Sequence, residues 1–582
     1  MSPTLSTLDW VIIVLYILLT VIVGLWFTRR AGKNLSAFLL GGRNLSWYIA
    51  GISMVATTFA ADTPLAVAEL VGKNGISGNW LWWNMLAGGM LTTFFFARLW
   101  RRSGVLTEAE LIELRYSGRE AAFLRGFKAV YLGLFMNMLI IGWVNVAMIS
   151  IFTGFFGLSE QTALLYTAIL MAFTAVYSSL SGLLGVAITD AMQFVIAMVG
   201  CIVLAILTVN SPEIGGMAQL QSQLPDWSLH FFPHIGNSAA EVGTTLAIGV
   251  GTFFAYVGIQ WWACWYPGAE PGGGGGYVAQ RMMSVRTERE AVYATLFFQV
   301  AHYCLRPWPW IIVALCAMVL YPDLADKKMG YIMAMKQFLP NGWRGMLLVA
   351  FFAAYMSTIS TQLNWGAGYL ANDLYHRFIS PQADDRSLVR AARVATLLLM
   401  ALGLAVSTFI NSISGVWSFL MECGAGLGLV LILRWYWWRI NAWSEIVATI
   451  APFVAFALSK YVLHLEYPNS FFLTVGLTTF AWLAATYLTS PTQSPVLQRF
   501  YQQVRPGGWW QPVRQSLGDH SPTASLLPNL VCWISSVLMT YSLLFASGKF
   551  LFGDYRAALV WATIAVLSFA VLRVGLAKSN EV

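Results

Sequence analysis

Fifteen apolar stretches, most of them about 20 residues long, recur along this chain: 9–28, 46–71, 78–100, 122–155, 163–183, 185–209, 243–266, 289–320, 344–370, 387–411, 414–438, 443–464, 470–489, 528–548 and 555–576. A helix needs roughly 20 apolar residues to cross the hydrocarbon core of a bilayer. In that medium each backbone N–H and C=O must be satisfied within the protein, so such stretches fold as helices. The spacing predicts an all-α polytopic membrane protein with about 15 transmembrane helices. Composition agrees, with 58% hydrophobic and 10% charged residues, against about 25% charged in soluble domains. The net charge of +8 then reads as basic loops at one membrane face, not as a nucleic-acid surface. The six cysteines lie in or beside apolar segments without CxxC spacing, which gives no disulfide framework and no zinc site.

Charge orients the bundle. With the N-terminus outside, alternate connections on the inner side collect 25 of the 34 Lys and Arg residues, and outer connections hold 7. That bias is the one expected of an integral plasma-membrane protein of the bacterial inner-membrane type. It places the N-terminus outside and the C-terminus in the cytoplasm. The first apolar run is followed, not preceded, by Arg29 and Arg30, the reverse of a signal peptide, so it is expected to stay as a helix.

Two segments are interrupted at membrane depth. The segment 46–71 holds Phe59-Ala60-Ala61-Asp62-Thr63-Pro64, and the segment from 243 runs into Tyr266-Pro267-Gly268-Ala269-Glu270-Pro271 and Gly272 to Gly276. Breaks of this kind persist only where they are buried or line a cavity. Counted from 46–71 as helix 1, they fall in helices 1 and 6. The chain then divides into an N-terminal extra helix and loop (1–45), a first repeat (46–209), an outer loop (210–242) and a second repeat (243–440). Two peripheral helices (441–489), a cytoplasmic loop (490–527) and two C-terminal helices (528–582) follow. Five helices is an odd number, so the two repeats insert with opposite topology. This 5+5 inverted-repeat core with discontinuous helices 1 and 6 is the pattern of secondary transporters. Trp509 and Trp510, with three Arg, suggest that 490–527 lies at the interface and is not a folded domain.

Several spaced motifs resemble the sodium:solute symporter family. They are Ala60-Ala61-Asp62-Thr63, the run from Ser181 to Gln193 with its Thr189-Asp190, Gln280-Arg281-Met282-Met283-Ser284, the run Ala354-Tyr355-Met356-Ser357-Thr358, and Asn372-Asp373-Leu374-Tyr375. Ordered motifs over roughly residues 10–440 are far more specific than any one alone. The glycine run, the stretch Arg306-Pro307-Trp308-Pro309-Trp310 and two added C-terminal helices depart from the general pattern, so the solute is not carried over.

The resemblance implies a sodium site at Ala60, Thr63, Ala354, Ser357 and Thr358, with Na+ as the coupling ion and no other cofactor. Chemistry is compatible. A hard cation wants oxygen ligands, and Ala354, Ser357 and Thr358 share one helical face at i, i+3 and i+4. Pro64 cannot donate to the carbonyl of Ala60. Plain interhelical hydrogen bonding is the competing role for Ser357 and Thr358. Asp62 is expected beside the ion, and Asp190, near the inner end of helix 5, is expected to guide its exit. For a small organic solute the candidate contacts are Gln260, Trp261 and Trp262 ahead of the second break, with Glu69, Asn145 and Arg306; Glu69 is a possible partner of Arg306.

These features favour sodium-coupled uptake of a sugar or other small polar metabolite by alternating access. A proton-coupled transporter carrying its proton on Asp62 or Asp190 is the alternative. A polytopic enzyme would need clustered ligands; the nearest are His230 with His234 and Asp323 with Asp326, and Pro233 breaks the helix that would align the two histidines. Oligomeric state leaves no mark on the sequence.

Overall fold

The computed structural model describes residues 5–31, 34–233, 250–264, 276–410, 413–519 and 525–580. Helices are the regular elements throughout these residues, with two isolated β-bridges between them. Among the described residues, ten helices, from Gly118–Phe156 to Tyr555–Lys578, are long and apolar enough to cross a membrane, and counting the bent pair Trp47–Thr58 and Asp62–Asn74 as one span gives eleven.

Two of the expected segments are locally broken. Residues 78–100 form Trp80–Trp83, Leu86–Leu91, a π-turn Thr92–Phe96 and Ala97–Ser103 in succession. Asn84 sits at the first of these joints, its amide donating to the carbonyls of Trp80 (2.8 Å) and Leu81 (2.9 Å). Residues 414–438 divide into Ile413–Cys423 and Leu427–Tyr436 about Gly426, whose φ of +96° suits glycine alone. The first helix is continuous over Thr7–Ala31 and contains the whole apolar segment 9–28. The segment 243–266 is described only from Val250, and the expected break at 266–276 lies almost wholly outside the described residues. The stretches 163–183 and 185–209 share one helical backbone, Glu160–Val209, carrying two spans, Glu160–Ser178 and Leu183–Val209.

The span Trp343–Ile379, which contains helix 8 of the sequence numbering, is the most enclosed, with 89% of its apolar stretch buried, against 22% for Tyr555–Lys578. Helix 8 is therefore the axis of the bundle, and the last helix faces lipid. Helix 1 packs beside the axis and bends by 56° between Thr58 and Asp62. The bend is capped from within. The amide of Phe59 donates back to the carbonyls of Val55 and Ala56, both at 3.0 Å, and that of Thr63 to Ala60 at 3.2 Å. The Thr63 hydroxyl reaches the Thr58 carbonyl at 3.2 Å. Pro64 falls in the first turn of Asp62–Asn74, where the missing N–H has no helical partner to lose.

The C-terminal pair Leu527–Leu551 and Tyr555–Asn580 is held by specific polar contacts. The Trp533 indole donates to the carbonyl of Ala87 (2.8 Å), the Tyr541 hydroxyl to that of Trp83 (2.8 Å), and the Trp308 indole to the Ser547 hydroxyl (2.9 Å). Gly548 permits the closest approach: a Cβ there would lie 2.1 Å from the Trp308 ring and 2.8 Å from Phe231. Gly548→Val is expected to cost about 1–3 kcal/mol, the usual range for overpacking. Faster proteolysis between Leu488 and Leu527, with lowered thermal stability in detergent, would report the loosened pair. Residues 490–519 fold back on the bundle. Trp510 is fully buried, donates to the Trp435 carbonyl at 2.9 Å and stacks on Phe500, whereas Trp509 is exposed.

Candidate functional site

The bend in helix 1 opens onto a small internal cavity of about 60 Å³. Thr57, Thr58, Ala60, Asp62 and Thr63 contribute from the bend, Thr358 from helix 8, and Trp82, Trp143 and Trp417 from three further helices. His302 and Arg306 complete the polar part of the wall. Of the sequence-predicted residues, Ala60, Asp62, Thr63, Thr358 and Arg306 therefore meet around one space.

Helix 8 closes against the bend through hydroxyls. Thr358 donates to the carbonyl of Thr57 at 2.7 Å, and the hydroxyls of Thr57 and Thr361 lie 3.2 Å apart. Ser357, one residue away on the helix, is directed differently. It donates to Asp190 Oδ1 at 2.6 Å, and Ser53 donates to Oδ2 of the same carboxylate at 2.6 Å. Ser357, Thr358 and Ala354 are all buried, none facing lipid. Ala354 and Ser357 lie off the cavity lining, so the five expected ion ligands do not all meet there, and Ser357 is directed to Asp190.

Asp190 is more central than its sequence position suggested. It is fully buried and ties helix 1, the span Leu183–Val209 and helix 8 together through the two serines. Arg281 stands 3.8 Å from its Oδ2, donating also to Thr361 (2.7 Å) and Gln280 (2.8 Å). The Gln280 amide in turn donates to Asn364 on helix 8 at 2.9 Å. Three motifs that are far apart in sequence thus form one hydrogen-bonded cluster.

At the cavity, Asp62 is 2% exposed, with the Trp143 indole and the Arg306 guanidinium as its electrostatic neighbours. Its Oδ1 has no hydrogen-bond partner among the described residues. A buried carboxylate oxygen without a donor is costly unless a ligand or ion satisfies it. Arg306, with no exposed surface, donates to the Thr58 hydroxyl (2.7 Å) and the Val55 carbonyl (3.1 Å) and lies over the Trp310 ring. It fastens the first half of helix 1 to the helix beginning at Pro307.

The other expected solute contacts point elsewhere. The Gln260 amide donates to Met421 sulfur (3.0 Å) and the Leu81 carbonyl (3.3 Å) in a separate part of the core. The Trp261 and Trp262 indoles donate to carbonyls four residues earlier on their own helix, at 2.9 and 2.7 Å. Glu69 ion-pairs with Lys73 at 2.6 Å. Asn145 accepts from the Tyr355 hydroxyl at 2.6 Å. Thr57, Trp82, Trp143, Trp417 and His302 line the cavity without having been singled out. Thr57 was the accessible one, since it directly precedes the bend.

At the Arg-rich end the helices are cross-linked by ion pairs. Arg125 bridges Asp373 and Glu113, each at 2.7 Å, and Arg377 meets Glu113 at 2.8 Å. Burial works to raise the Glu113 carboxyl, but hydrogen bonds from Arg377 and Arg125 outweigh it and hold the group below the usual carboxylate range. Among the described residues, no group of three His, Cys, Asp or Glu side chains is arranged to hold a metal.

Comparison with known proteins agrees with this architecture. The sodium/glucose cotransporter of Vibrio parahaemolyticus is 23% identical over 498 residues, covering 80% of this chain and 87% of that protein. The high-affinity proline transporter PutP of Bacillus subtilis (strain 168) is 24% identical over 469 residues, covering 73% and 86%. The sodium/myo-inositol cotransporter 2 of Rattus norvegicus is 22% identical over 476 residues, covering 74% and 67%. Among solved structures, a substrate-bound, outward-open Na+-coupled sialic acid symporter superposes with a TM-score of 0.66 at 17% identity, covering 84% of this chain and 99% of that one. That likeness shows a LeuT-like fold. The model of the sodium:solute symporter family matches residues 38–451, and the chain belongs to that family, whose members are membrane transporters and not enzymes.

Proposed function

We propose that this chain is a sodium-coupled symporter that imports a small organic solute by alternating access. The observation that carries the reading is the meeting of helix 8 with the bend of helix 1. There the Thr358 hydroxyl stands 2.7 Å from the Thr57 carbonyl, on a cavity where Asp62 offers an unpartnered oxygen. A monovalent cation seated among Ala60, Thr63, Thr358 and the neighbouring Ala354 and Ser357 would use these oxygens without needing a carboxylate of its own. Asp62 supplies the negative field that draws the ion in, and Asp190 receives it on the way out. Three tryptophans and Arg306 give the cavity flat apolar walls with a few fixed polar groups, the character of a solute site. That suits a sugar or another small polar metabolite. The Arg-rich ion-pair network at the other end closes the path while the cavity is loaded. The charge bias puts that end in the cytoplasm and the N-terminus outside.

The test is ligand-dependent stability in detergent, followed by uptake into proteoliposomes. Sodium, but not potassium, is expected to raise the melting temperature, and a transported solute is expected to add to it only in sodium. Ligand at 100 times its Kd stabilises a protein by about 2.7 kcal/mol. The orphaned Asp62 oxygen also suits a proton, which is the second reading. Uptake that ignores sodium and follows an imposed pH gradient would establish that reading and remove the first.

A further inference from the structure

A groove of about 690 Å³ runs between the C-terminal helix pair and a wall made by helix 1 and the span Glu288–Leu320. The side chains lining it are apolar except for the indole N–H of Trp47 and the hydroxyl of Tyr293. Ala565 and Leu572 form a buried floor, and Trp47 and Phe569 stand exposed on its rims. Small side chains make the space: Ala562 and Ala565 lie three residues apart on one face of the last helix. The opposite wall is tight. A Cβ at Gly51 would lie 2.8 Å from the Phe297 ring and 2.9 Å from the Ala294 carbonyl oxygen, so helix 1 and its neighbour meet there without a gap.

The groove has a length and a direction. Along the last helix it runs from Ala562 to Leu572, about 15 Å at 1.5 Å per residue. That is half the hydrocarbon thickness of about 30 Å. At one end Trp47 and Tyr293 are in ring contact. Arg98 neighbours both Tyr293 and Cys532, and a Cβ at Gly575 would lie 2.8 Å from the Cys532 sulfur, so Leu572 stands near the same level. At the other end Phe545 packs on Trp561, and the Cys304 thiol reaches the Thr540 carbonyl at 3.2 Å, which brings Val300, Leu543 and Ala562 together. Arg289 lies beyond the first end and donates through Nε to the Tyr293 hydroxyl at 2.7 Å. Trp, Tyr and Arg together set that end at headgroup level.

We propose that this groove binds an acyl chain of a membrane phospholipid from the leaflet on the Arg-rich side. Bilayer hydrocarbon is the medium that faces these spanning helices. Water finds too few polar partners along the walls to occupy the space, and an empty groove forfeits dispersion contacts along its whole lining. A membrane-spanning helix, from a second copy or from another protein, needs the full bilayer thickness, twice the length available. The chains of a single leaflet match it. Held there, the lipid fills the seam between the wall of helix 1 and the C-terminal pair.

The experiment is photocrosslinking of the full-length protein in nanodiscs with two phosphatidylcholines, one carrying a diazirine near the ester end of its acyl chain and one at the chain tip. Labelled residues are located by peptide mass spectrometry. The first probe is expected to enrich at Tyr293 and Leu572 and the second at Val300, Leu543 and Ala562, both severalfold above the exposed Val560. Ala562→Phe with Ala565→Phe fills the groove and should remove the enrichment, together with a phospholipid that the wild type retains in native mass spectrometry. Val560→Phe, on an exposed face of the same helix, should change neither. The wild-type labelling pattern decides by itself should the double variant not fold. Even labelling of exposed helix faces by both probes, or enrichment that persists in the filled variant, would overturn the proposal. A wild-type dimer that the filled variant dissolves would overturn it in favour of a second copy.

Discussion

Asp190→Ala is expected to destabilise the protein by about 3–5 kcal/mol, the cost of removing one partner from a buried charge pair. The carboxylate is fully buried, and three groups depend on it: Ser53 and Ser357, each donating at 2.6 Å, and Arg281 at 3.8 Å. Alanine would leave a buried guanidinium facing two hydroxyls with no anion between them. Arg281 retains Thr361 and Gln280, which soften the loss without neutralising the charge. Asp190→Asn keeps the shape and the capacity to accept, so it should cost clearly less. The comparison separates the charge from the hydrogen bonds. Thermal unfolding in detergent, measured in potassium so that no coupling ion contributes, is the readout. An Asp190→Ala protein within 1 kcal/mol of the wild type would mean that the cluster joining helices 1, 5 and 8 does not bear on folding.

The same cluster shows what the sequence made legible. The bend at residues 59–61 could be read directly, because Asp62 and Pro64 both resist an unbroken apolar helix, and the structure bends by 56° there. The burial of Ser357 and Thr358 also followed from their places in an apolar span. Their division between Asp190 and the Thr57 carbonyl did not, because neighbours on a helix point about 100° apart and the outcome depends on which helices lie on either side. The aromatic wall was hidden for a related reason. Trp82, Trp143 and Trp417 come from three separate helices, and nothing in a sequence of 26 tryptophans distinguishes them. Gln260, Trp261 and Trp262 looked suited to solute by nearness to a break, yet their polar atoms are spent within their own neighbourhood. The breaks at Asn84 and Gly426 inside otherwise apolar segments left no mark in the hydropathy pattern.

Replacing Ser357 and Thr358 together, by Ala and Val, is expected to raise the sodium concentration for half-maximal uptake by at least tenfold, while stability in potassium falls by about 1–3 kcal/mol because Asp190 Oδ1 loses its donor. The magnitude follows from treating each hydroxyl as a contact to a charged ligand, worth about 1.5–3 kcal/mol, with 1.4 kcal/mol equal to a factor of ten. Val holds the shape of Thr358, so packing against the bend survives, and what is lost is the oxygen that meets the Thr57 carbonyl at 2.7 Å. Ala at 357 removes one of two serine donors to Asp190, and Ser53 remains. The single variants divide the two groups of oxygens that the structure separates. If the ion sits at the cavity, Thr358→Val should carry most of the loss and Ser357→Ala little of it. If it sits beside Asp190, the order reverses. Thr358→Ser, which keeps the hydroxyl, should stay close to the wild type in either case. In the proposed symport sodium and solute binding are linked, so the solute's apparent affinity at fixed sodium should fall with the ion's. A double variant with unaltered sodium activation and unaltered solute affinity would take the coupling ion away from helix 8 altogether.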